Sequence, residues 1–67
     1  MLHENLKALR KQKGLTQEEL ADAVEVTRQT IISLENGRYN PSLKLAMDIA
    51  KVFHVSVEEL FKFVDNE

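Results

Sequence analysis

Two tetrads constrain the fold of this chain more than any other feature: Thr16-Gln17-Glu18-Glu19 and Ser56-Val57-Glu58-Glu59. In each, a hydroxyl residue is followed three positions later by glutamate. At that spacing the hydroxyl accepts the third free amide of a nascent helix, while the glutamate reaches back to the amide of the hydroxyl residue itself. Helices are therefore predicted to begin at Thr16 and at Ser56. Only two glycines and one proline punctuate the chain. That is too few turn formers for a β-sandwich and enough for helices joined by short connections.

The remaining punctuation completes the pattern. Glu4 to Lys13 reads as a first helix, with Leu6 and Leu9 on one face, Lys7, Lys11 and Lys13 off it, and Gly14 as its stop. The helix opened by Thr16 runs to Ala23 or Val24 and turns Leu20, Ala21 and Val24 inward. After a turn at Val24-Glu25-Val26, Thr27 caps a third helix anchored by Ile31 and Leu34 and ended by Asn36-Gly37. Pro41-Ser42 opens a fourth, whose Leu45, Ala46, Ile49, Ala50 and Phe53 recur at helical spacing. Ser56 opens a fifth, carrying Leu60 and Phe61. The expected architecture is all-α: five helices in a single domain over residues 1–67, with a helix-turn-helix at about 16–24 and 27–36.

With 67 residues and no cysteine, neither a disulfide framework nor a thiolate metal site is available. A domain of this size buries only about 60% of its unfolded surface, so a short apolar core or a homodimer interface must supply the stability. His3 and His54 lack ligand spacing, and no metal or cofactor is expected. There is no paired acid and base on one face, no nucleophile beside a histidine and no glycine-rich phosphate loop, so an enzyme is not expected. No small-molecule pocket is evident at this length. No apolar run approaches the roughly 18 residues of a membrane span, and no export signal opens the chain. Together with the missing cysteines this points to a prokaryotic cytoplasm. At the C-terminal end, Phe61, Phe63 and Val64 offer more apolar side chains than one short helix needs. They are consistent with a small two-stranded sheet with Met1-Leu2-His3, with a seam across a dimer axis, or with a partly apolar tail.

The net charge of −2 conceals a segregation. Lys7, Arg10, Lys11 and Lys13 crowd the first helix, and Glu18, Glu19, Asp22 and Glu25 crowd the second. Arg28, Arg38, Lys44 and Lys51 restore positive charge from the third helix onward. An acidic total neither excludes a basic face nor supports strong non-specific binding to nucleic acid.

The third helix carries the functional signal. Each residue of an α-helix advances by about 100°. With Arg28 at zero, Ile32 falls near 40°, Asn36 near 80°, Gln29 near 100° and Ser33 near 140°. Ile31 and Leu34 centre the opposite arc. Arg28, Gln29, Ile32 and Ser33 therefore share an outward face at the start of the helix. Such a face is either ordinary solvated surface or a reader of base edges in the major groove. Arg bonds guanine O6 and N7 in a fork, Gln does the same with adenine, and an aliphatic side chain touches the thymine methyl group. Gln17, at the start of the second helix, is placed to meet a phosphate, and Arg38, Asn40 and Lys44, on or just beyond the following loop, to clamp another.

The segments Leu15-Thr16-Gln17-Glu18-Glu19-Leu20-Ala21, Arg28-Gln29-Thr30-Ile31, Leu34-Glu35-Asn36-Gly37, Asn40-Pro41-Ser42-Leu43 and Val55-Ser56 occur in the order found in the XRE family of lambda-repressor-like regulators. From about Leu6 to Phe61 the chain resembles that family, and among its compact members the cytolysin-operon repressor type. The resemblance implies that Thr27, Arg28, Gln29 and Ser33, joined by Ile32, face bases. It implies that Gln17, Asn36, Arg38 and Asn40 face phosphates, that Arg10 pairs with Glu35, and that residues 55–67, with Leu60, Phe61, Phe63 and Val64, form a dimer interface. Two positions depart from the family pattern. Glu25 stands where glycine is usual, at a cost of roughly 1 kcal/mol if the position is left-handed. His54 stands where Gly or Asn is common, and is read as a left-handed helix end rather than a pH sensor or metal ligand. The expected function is that of a sequence-specific regulator of transcription binding double-stranded DNA as a homodimeric repressor on an inverted repeat. The alternative is an antitoxin-like module whose main partner is another protein.

Overall fold

The computed structural model, which describes residues 2–61, orders five helices as α1 (Leu2–Lys13), α2 (Gln17–Ala23), α3 (Arg28–Glu35), α4 (Leu43–Phe53) and α5 (Val57–Leu60). Each helix from α2 onward begins at a hydroxyl. Thr16, Thr27, Ser42 and Ser56 are extended, and their side chains accept from the amides of Glu19, Thr30, Leu45 and Glu59. Both capping boxes close, Glu19 accepting from the Thr16 amide at 2.8 Å and Glu59 from the Ser56 amide at 2.9 Å.

The helix ends share one solution as well. Among the described residues Gly14, Glu25, Gly37 and His54 have positive φ, at 75°, 60°, 72° and 57°. Immediately after each, a backbone amide returns to a carbonyl five residues back: Leu15 to Arg10, Val26 to Ala21, Arg38 to Ser33 and Val55 to Ala50, at 3.0 to 3.1 Å. This left-handed reversal satisfies carbonyls that a helix end would otherwise leave bare. At three of the four ends the residue that follows is apolar, and Leu15, Val26 and Val55 pack against the core. At the end of α3 it is Arg38, which is exposed.

Leu6, Leu20, Ile31, Leu34, Ile49 and Leu60 are fully buried, one or two from each helix, and form the centre of a single core. α1 is the hub, touching α3, α4 and α5, while α2 packs on α3. Asn5 donates to the carbonyl of Leu60 at 3.1 Å and ties α5 to α1. Three expectations change. α1 starts at Leu2 rather than Glu4 because Leu2 is itself a core residue. Leu2 and His3 are consequently helical, so they provide no strand to pair with the chain end; Phe63 and Val64 lie outside the described residues. Leu60, expected at a dimer interface, is 0% exposed and belongs to the core of the chain itself, so it has no surface to offer a partner; Phe61 is half-buried against the same core. None of the described helices is long and apolar enough to cross a membrane.

Candidate nucleic-acid interface

α2 and α3 are joined by the three-residue turn, packed on one another and tied by a charged network. Glu35, at the end of α3, is buried, and its carboxylate accepts from Arg10 Nε at 2.6 Å and Nη2 at 3.1 Å. The remaining guanidinium nitrogen bonds the carbonyl of Leu15 at 2.9 Å. Gln17 Nε2 adds a third donor to Glu35 at 3.1 Å. One carboxylate thus fastens α1, α2 and α3 together. A two-pronged Arg–carboxylate pair fixes orientation as well as distance, and its burial removes the competition from water that weakens exposed pairs.

Above this network lies the outward side of α3. Arg28, Gln29 and Asn36 are exposed, while Ile32 and Ser33 are half-buried. Thr27, Gln29 and Ser33 line a groove of about 350 Å³ with Arg38. Thr30 and Tyr39, which the sequence reading did not single out, line it too. The Thr27 hydroxyl accepts the Thr30 amide at 3.2 Å and lies 3.0 Å from the Thr30 hydroxyl, so the mouth of α3 is prearranged. Tyr39 is 46% exposed. The only tyrosine of the chain, set in a polar loop beside Arg38, was the available signal for it.

Other expected contacts are dispersed. Gln17 is shared between Glu35 and a second groove, of about 620 Å³, where it lies with Arg10 and Arg28. Asn40 is exposed on the loop before α4. Lys44 stands apart. It bonds Asp48 at 3.0 Å and lines a groove with Glu25 and Lys51, between the end of α2 and α4. Lys44 was expected with Arg38 and Asn40 because all three lie on or just after the loop, but α4 places it in a groove shared with the end of α2.

The assembled surface offers forked and amide donors, hydroxyls and an aromatic ring around one helix mouth, and these are the groups that match base edges and phosphate oxygens. A family model described as Helix-turn-helix matches residues 6–60. An uncharacterised HTH-type transcriptional regulator of Archaeoglobus fulgidus is 53% identical over 62 residues, covering 92% of this chain and 89% of that protein. Among solved structures, the restriction-modification controller protein C.AhdI of Aeromonas hydrophila matches with a TM-score of 0.84 at 33% identity, over 90% of this chain and 91% of that one. SinR, a master regulator for biofilm formation whose structure was solved in complex with DNA, matches with a TM-score of 0.85 at 32% identity, over 92% of this chain and 100% of that one.

Proposed function

Since the chain belongs to the helix-turn-helix family of XRE-type transcriptional regulators, we propose that it acts in the cytoplasm as a homodimeric repressor that reads an inverted-repeat operator through α3. The observation that carries this reading is the outward face of α3. Arg28 and Gln29 stand exposed at the helix mouth, above the network of Arg10, Gln17 and Glu35 that holds α3 in place. In this reading Arg28 and Gln29 specify bases by paired hydrogen bonds, with Thr27, Ile32 and Ser33 completing the base-facing surface. Gln17, Asn36, Arg38 and Asn40 hold phosphates and so set the register of the helix in the groove. Lys44, on another groove and already bonded to Asp48, stays outside the contact set. Two-fold symmetry of the dimer then requires half-sites about one turn of the duplex apart. Phe61, with Phe63 and Val64, provides the seam.

The test is selection of bound duplexes from a random pool at about 0.15 M salt, where non-specific contacts are screened. Recovery of an inverted repeat supports the proposal. Recovery of no motif favours the protein-interaction module, with the helix-turn-helix as a scaffold.

A further inference from the structure

The groove of about 620 Å³ on the other side of Arg28 is lined by Lys7 and Lys11 of α1, together with Gln17, Arg28 and Glu18. Its charge is unbalanced. Arg10, in the same wall, is neutralised by Glu35. No carboxylate among the described residues pairs with Lys7, Lys11 or Arg28, and Glu18 is the one acid in the lining. Lys7 and Lys11 are exposed and one helical turn apart, which places them about 6 Å from each other along the axis of α1. Successive phosphates of a B-form strand rise by about 3.4 Å and are spaced further along the backbone, so two lysines at this separation match a short run of one strand.

We propose that the backbone contact of Gln17 extends across this groove onto α1: Lys7 and Lys11 hold phosphates of the duplex flanking the half-site, on the side of Arg28 away from the groove of Thr27, Ser33 and Arg38. The inference rests on the DNA-reading proposal and extends its contact surface to α1. The α3 mouth then lies between two backbone contacts, one from α1 and one from the loop carrying Arg38. Flanking DNA contributes affinity without contributing sequence.

The experiment compares the full chain with Lys7→Gln/Lys11→Gln and with a charge-matched control, Lys44→Gln/Lys51→Gln, on the groove between α2 and α4. Affinity for the selected operator is measured against salt, on duplexes with long and with trimmed flanks. The lysines are exposed, so helicity by circular dichroism should be unchanged. The α1 variant is expected to lower the slope of log K against log salt by about two units per protomer. It is also expected to lose the dependence on flank length and to retain the base preferences of the wild type. An unchanged slope overturns the inference. So does an equal loss in the control, which indicates a bulk charge effect, or a loss independent of flank length, which indicates a small-anion site. If the wild type prefers no duplex at all, the DNA-reading proposal falls first and this one with it; an operator bound normally by the α1 variant sinks this inference alone.

Discussion

Glu35 is the one charged side chain buried among the described residues, at 7% exposure. A carboxylate in that position is tolerated because Arg10 and Gln17 fill its acceptor sites. Removing Arg10 strands it. Arg10→Ala is expected to cost about 3–5 kcal/mol, the usual penalty for leaving one half of a buried pair unmet. Urea unfolding measures this, and a loss below about 1 kcal/mol would mean that water already reaches Glu35. Glu25 presents the opposite situation. With φ at 60° it occupies a conformation that costs a side chain about 1–2 kcal/mol and glycine little. Glu25→Gly should therefore raise stability by about 1 kcal/mol, with the same fold by circular dichroism. A lower midpoint would show that Glu25 makes a compensating interaction in the turn.

At the scale of elements, four hydroxyl caps and four left-handed reversals divide the chain, and most of that division is legible in the sequence. Thr16 and Ser56 declare themselves through the glutamates three positions on, and Gly14 and Gly37 through their freedom at positive φ. Glu25 and His54 do the same job without the residue type that announces it. They are readable only against the pattern of the family. The start of α1 at Leu2 is legible too, since Leu2 stands four positions before Leu6 and shares its apolar face, and both reach the core. The bond from Gln17 to Glu35 spans eighteen positions and has no local signature. The direction of Lys44 depends on how α4 is rotated, which the loop sequence does not specify. Arg38 departs from the pattern of these helix ends. It occupies the place where Leu15, Val26 and Val55 pack inward, yet it points outward, which suits a loop that meets phosphate. Arg38→Ala should weaken binding to all duplexes alike and reduce the salt slope by about one per protomer. An unchanged slope would remove this loop from the interface.

As a whole the described part of the molecule measures 33 × 24 × 22 Å. In the proposed homodimer the two α3 helices have to lie about 34–36 Å apart to enter successive major grooves on one face of the DNA. If that pairing stabilises a protomer with so small a core, the thermal midpoint rises with protein concentration. A midpoint constant over a hundredfold range of concentration would argue for an independent monomer. Whether α3 reads bases or merely rests on the backbone is decided by titrating the wild type and Arg28→Ala against the operator and a panel of duplexes, each altered at one base pair. Arg28→Ala is expected to lose about 1–3 kcal/mol on the operator, with discrimination relaxed at one position, repeated symmetrically in both half-sites. A uniform loss across the whole panel would contradict base reading and assign Arg28 to a phosphate.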